Sequence, residues 1–416
     1  MDEREALTRA VAAAPDDDLP RLVFADWLEE HDEPAHAAFV RAQVELAATP
    51  PWEPFAVRLR HREPDLVTGA PWWYALPRVD GERLEWHLDH AFRRGFGWSL
   101  IVRDVAALLA EAPRLFDLAP IGQLHLPSAT LDQWKHFAAQ PWLPRVKSLH
   151  FYGTRTPIEP VRVLCDAPLA TGLEEIVFER AGSHALPELV AGLFRSPLGQ
   201  RLRSLEFRVG YESLEELIAA FAAGPAPRLD RLAFVITRFA PEHIDQLVES
   251  PVLDSLTALE ITHSGLGEFG LRSLARCPRL TRLTRLTLSG VVADPVGAAE
   301  LAASPHLTGL RMLNLSRNWR GGTVRPGAWS GLLGRLRSLD LGDTALDGHS
   351  VEVLVAHWDG LVELKLDNNR LRGTAGRHLL DRPPPPELTA LSLRGNRFSD
   401  GLAHKLRRHF GERVIL

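Results

Sequence analysis

Three glycines in GLGEFG, Gly265, Gly267 and Gly270, have the G-x-G-x-x-G spacing that brings backbone amides against a dinucleotide pyrophosphate, and Asp294 stands near the expected acidic position. HDEPAH, His31 to His36, and EWHLDH, Glu85 to His90, set imidazoles beside carboxylates. Metal ligation needs convergent geometry, and Pro34 interrupts the first cluster, so both read as solvated surface. Cys165 and Cys277 are the only cysteines, too few for a disulfide framework or a cysteine zinc site, and they read as small core residues. None of the four lysines follows a glycine, which removes a phosphate-binding Gly-Lys loop. No His-Glu pair and no G-x-S-x-G elbow occurs. DNNRL, from Asp367, starts like a calcium loop but puts Leu371 where an oxygen ligand is needed. These residues predict a protein that is not an enzyme and that holds no cofactor and no metal.

The elements that must position any site are governed by a repeat. L-x-x-L-x-L, with Ile, Val or Phe tolerated, starts at Ile121, Val146, Leu173, Leu202, Leu229, Leu256, Leu283, Leu310, Leu336, Leu361 and Leu388. Those eleven copies are spaced 25 to 29 residues apart, a register that chance does not hold. Within one copy, Leu205 and Phe207 share one face of a short strand, and Ser204, Glu206 and Arg208 face the other way. Leu186, Leu189, Val190, Leu193 and Phe194 then form an apolar helical stripe, repeated one unit later by Leu214, Leu217, Ile218 and Phe221. Ser196-Pro197, Ser250-Pro251, Cys277-Pro278 and Ser304-Pro305 mark the turn back, because proline cannot continue the helix. GLGEFG falls in register with the neighbouring strand-to-helix loops, so it reads as one of them.

The repeat resembles the leucine-rich repeat, over roughly residues 96–416 and most strongly where LNLSRN, LKLDNN and LSLRGN supply Asn318, Asn369 and Asn396. The resemblance implies an α/β solenoid, a horseshoe with parallel strands on the concave face and helices outside. It also implies that those asparagines hydrogen-bond backbone groups at the turn after each strand. RVIL, from Arg413, reads as a truncated closing strand.

Residues 1–95 lack the period and hold five of the eleven tryptophans. Helices are predicted from about Glu3 to Ala14, after Asp16-Asp17-Asp18, and around Phe39, Val40 and Val44, followed by a proline-rich connector that includes Trp72-Trp73-Tyr74. DDDLPRLVFADWLEEH, Asp16 to His31, together with Phe39-Val40-Arg41 and the lead-in RRGFGWSLIV, is similar to the repeat-companion domain that precedes leucine-rich repeats in some large-genome bacteria. That resemblance implies a small, mainly helical domain over 1–95 before a solenoid of eleven to twelve repeats over 96–416, and a regulatory association without catalysis.

Forty-eight Lys+Arg against 53 Asp+Glu gives a net charge of −5, which predicts neither a nucleic-acid nor an anionic-membrane partner. The N-terminus lacks a secretory pattern and no apolar run is long enough to span a membrane, so the expectation is a cytoplasmic protein. The outward strand positions mix charged, polar and aromatic residues, which suits a protein partner better than a phosphate backbone. The candidates on these rows are His125, His150, Tyr152, Glu179, Glu206, Arg208, Glu260, Thr262, Asn314, Asp340, Lys365, Asp367 and Arg394. Trp319 and Trp329, in the glycine-rich stretch from Asn318 to Gly331, form a second candidate patch or else fill the space of a missing helix. The function read from this pattern is a scaffold that binds a protein through its concave face. The alternative is an inhibitor or regulatory subunit of a neighbouring enzyme in bacterial signalling or defence. A nucleotide-binding enzyme built on Gly265–Gly270 is the third reading.

Overall fold

Alternating strand and helix patterns dictate a mixed α/β chain, and a computed structural model shows how the alternation is assembled. It describes residues 2–67, 76–87, 92–152, 158–179, 186–208, 214–222, 227–235, 239, 241–293, 295–318 and 326–416. The chain divides into two compact units, one of residues 1–50 and 59–209, the other of residues 51–58 and 210–416.

In the first unit three helices open the chain: α1 (Glu3–Ala13), α2 (Leu19–Glu30) and α3 (Pro34–Ala48). Val11, Phe24, Ala25, Leu28, Ala37 and Val40 form their common core, which is completed by Phe96 from the lead-in to the repeats. Gly95 fits there because its φ of +83° suits glycine and because a Cβ would come within 2.8 Å of Val40. Val44, expected in the buried face of α3, is half-buried. Strand Leu84–Trp86 pairs antiparallel with Ser99–Val102. Parallel strands Gln123–Leu126, Ser148–Phe151, Glu175–Glu179 and Ser204–Arg208 follow in chain order. Leu124, Leu149, Ile176 and Leu205 are aligned in register and buried. Behind them the rings of Phe151, Phe178 and Phe207 stack at 6.2 and 5.2 Å.

The second unit repeats the scheme in eight parallel strands, from Arg231–Val235 to Val414–Ile415. Leu232, Leu259, Leu286, Leu313, Leu339, Leu364 and Leu391 form its aligned apolar row. Every one of the eleven motifs read in the sequence is a strand, and the closing strand falls on Val414–Ile415.

Two polar ladders tie successive repeats. Asn318 Oδ1 accepts the amides of Val291 and Ala293, and its Nδ2 donates to the carbonyls of Leu288 and Leu315. Asn369 and Asn396 do the same for their own neighbours. The second ladder is built by the small residue before three of the turn prolines, whereas Ser196 Oγ donates to Leu193 O within its own unit. Ser250 Oγ donates to Phe221 O at 2.8 Å, Cys277 Sγ lies 3.6 Å from Val248 O, and Ser304 Oγ donates to Ala275 O, each partner 29 residues earlier. Cys277 therefore substitutes for serine in both place and bonding, and it is buried as expected. Cys165 is only half-buried.

The stretch expected to lack a helix contains one, Pro326–Leu333, in which Trp329 is 1% exposed. Trp329 is therefore buried, but as part of a helix and not in the space of a missing one. Trp319 lies outside the described residues.

Candidate functional site

Strand alternation presents three rows of side chains per unit on the face opposite the leucines. The first row precedes the central leucine of each motif: Ser99, Gln123, Ser148, Glu175 and Ser204 in the first unit, and Arg231, Ala258, Arg285, Met312, Ser338, Glu363 and Ala390 in the second. The second and third rows carry the candidates predicted from the sequence, except the two tryptophans. The first row was missed apart from Ser204, although the same alternation that placed Glu206 also places it.

In the first unit the face is closed by its own hydrogen bonds. Ser148 Oγ and Ser204 Oγ donate to the two oxygens of Glu175 at 2.7 and 2.8 Å. Burial alone would raise the Glu175 carboxyl, but the His150 imidazole 4.0 Å away and the hydrogen bonds from Ser148 and Ser204 outweigh it and hold the group at about 2. Gln123 Nε2 lies 2.7 Å from His150 Nε2, and Ser99 Oγ lies 3.2 Å from His125 Nε2. His125 packs between His87 and His150, with ring centroids 4.7 and 4.2 Å away. Arg208 bridges Glu206 and Glu179 at its end of the face. His150 and Glu206 are buried by these contacts, His125, Tyr152 and Glu179 are half-buried, and Arg208 is exposed.

The face of the second unit is more accessible at its middle. Glu260, Thr287, Asn314 and Met312 are half-buried and Arg285 is exposed, while Thr262 is buried. Glu260 pairs with Arg231 at 3.0 Å. Further along, Asp340, Lys365 and Asp367 are half-buried and Arg394 is exposed. Asp340 is raised above the ordinary carboxylate range by burial, against the opposing pull of the Gly342 amide and Lys365. Asp367 Oδ1 accepts from Ser392 Oγ at 2.6 Å and from the Arg394 amide at 2.7 Å.

The sequence clusters from His31 and from Gly265 have structural work, while Asp89, His90 and Asp294 lie outside the described residues. His36, expected at the surface, is buried, with its ring against Phe24 and Nδ1 3.4 Å from Glu33. His31 stacks on Trp27 at 4.0 Å. Among the described residues no group of three His, Cys, Asp or Glu side chains is placed to hold a metal ion, and no helix is long and apolar enough to cross a membrane. In the GLGEFG loop the Gly267 amide donates to Val291 O and the Gly270 amide to Leu266 O, so both amides serve the repeat.

Repeating strand-loop-helix units in parallel register, joined by an asparagine ladder, define a leucine-rich-repeat-like fold. Among solved structures, a chain from the yeast Rad7 and Elc1 complex is similar at 13% identity with a TM-score of 0.50, covering 94% of this chain and 92% of that one. An internalin from Listeria monocytogenes matches at 18% identity with a TM-score of 0.39, over 71% of this chain and 70% of that one. No protein-family model matches the sequence, and no curated protein matches it.

Proposed function

We propose that the chain is a non-catalytic protein-interaction module of cytoplasmic type, with a repeat-companion domain over residues 1–95 and a solenoid over 96–416 whose concave strand face binds a protein. The observation that carries this reading is the face around Arg285, Thr287, Met312 and Asn314, where cationic, hydroxyl, thioether and amide groups stand on adjacent parallel strands. Strands about 4.8 Å apart offer a preformed surface of mixed chemistry, the composition of protein interfaces and unlike a phosphate-binding groove. The Rad7 and Elc1 structure, itself a protein complex, has the same fold and supports the reading.

A second reading, a regulatory subunit of a neighbouring enzyme, draws on α2. Leu19, Leu22 and Val23 stand exposed at helical spacing there, a separate apolar surface. The test is capture from native-host lysate by the intact chain and by an Arg285→Glu/Thr287→Arg variant, with folding checked by circular dichroism. Loss of a specific protein from the variant supports the strand face. Retention by the variant, with loss on Leu22→Glu/Val23→Glu, transfers the binding to α2.

A further inference from the structure

The strand face of the second unit is not open along its whole length. In its first row Arg285 is exposed and Met312 half-buried, but Glu363 and Ala390 are each only 3% exposed. A carboxylate is seldom buried to that degree unless it is paired or covered. Residues 51–58 belong to this same compact unit, although residues 59–209 separate them from the rest of it. Helix α4 (Pro54–Val67) begins within them, and its Ala56 and Val57 have no exposed surface. Val57 forms a closed apolar cluster with Val362 and Ala390. Beside that cluster Glu363 is satisfied from its own sheet, by the Ser338 hydroxyl at 2.7 Å and the Lys365 ammonium at 3.2 Å.

We propose that the strand face at Glu363 and Ala390 is a seat for the first turn of a helical peptide, and that Pro51–Arg58 fills it as a ligand built into the chain. This rests on the reading of the strand face as the binding face and gives it a ligand class: a short helix start with a small residue followed by a β-branched apolar one, as in Ala56-Val57. Two small apolar side chains bury too little area for tight binding between separate molecules. Tethered to the same chain, they meet the seat in an intramolecular contact, which can fill a seat too weak to hold a free peptide tightly. Ser338 and Lys365, which hold Glu363 from its own sheet, stay in place when the segment leaves. A partner with the same helix start and further contacts along the face displaces it.

The test is fluorescence anisotropy with a labelled synthetic peptide of residues 51–61, titrated into the intact chain and into its Val57→Asp variant. The expected result is binding to Val57→Asp at least about tenfold tighter than to the unchanged chain, abolished by adding Ala390→Glu. Should Val57→Asp unfold the chain, Val57→Ala takes its place, and its weaker hold must still raise peptide affinity severalfold. Equal affinity for variant and unchanged chain, or no binding to either folded variant, overturns the proposal. The measurement uses this chain alone, so its outcome is independent of whether a captured protein depends on Arg285 and Thr287.

Discussion

The side-chain oxygen of Asn369 accepts the backbone amide of Thr344 at 2.9 Å, although the two residues occupy the same place in consecutive repeats. Asn369 also accepts from Leu346 and donates to Leu341, so one buried amide group holds the turn of the preceding repeat. Thr344 can do only half as much in its own repeat, where its hydroxyl donates to Leu341 O.

Asn369→Ala strands the buried amides of Thr344 and Leu346, and the expected loss is on the order of 2–4 kcal/mol. Asn369→Thr is expected to cost less, since a hydroxyl keeps part of the pattern. Urea unfolding of the three proteins checks the order, and an alanine variant as stable as the parent removes the ladder from the account.

Cys277 holds the place that serine holds in its neighbours, and its sulfur faces Val248 O as Ser250 faces Phe221 O. Cys277→Ser is therefore expected to change stability by less than about 1 kcal/mol, while Cys277→Val, of similar size but without a donor, costs more. Thermal unfolding of both variants reads the difference, and a serine variant less stable than the valine one counts against the second ladder.

Much of this framework is legible in the chain. The L-x-x-L-x-L register marks every repeat strand because its leucines face one shared core. The asparagine positions follow from the same resemblance. Less legible is what depends on contact across long separations. Nothing local in PFAV announces that Val57 will meet Val362 and Ala390. Trp329 sits among glycines, so the helix around it leaves little apolar periodicity to read. Small-residue-proline steps look like turn punctuation, and their inter-repeat hydrogen bonds emerge only once the repeats stack.

Glu175 gives a pH dependence with a definite sign. Its carboxyl is held at about 2, against an ordinary value of 4.5, so the folded state takes up its proton later than the unfolded chain. The contribution is complete above pH ~4.5 and is lost as the pH falls toward about 2, with a size on the order of 2–3 kcal/mol. Glu175→Gln should flatten the stability profile across that window and lower stability at neutral pH. Denaturation midpoints at pH 7, 5, 4 and 3 test this, and parallel profiles for the two proteins refute it.

His36 acts at higher pH. Burial, opposed by the nearby Glu33 carboxylate, lowers its imidazole below the ordinary 6.5, so the fold holds it neutral more firmly than the unfolded chain does. Its contribution is full above that value and falls away as the pH drops through and below it. His36→Phe is expected to remove this component, and unchanged pH dependence between 7 and 5 would show that the core of α1, α2 and α3 does not sense the imidazole.

The most direct test of the account is hydrogen exchange, measured by mass spectrometry, on the intact chain with and without the protein it captures. The prediction is protection on binding across the strands Arg285–Thr287 and Met312–Asn314, with the helices Gly267–Arg276 and Pro295–Ala302 unchanged. Protection confined to those helices, with the strands exchanging as in the free chain, would contradict a strand-face interaction.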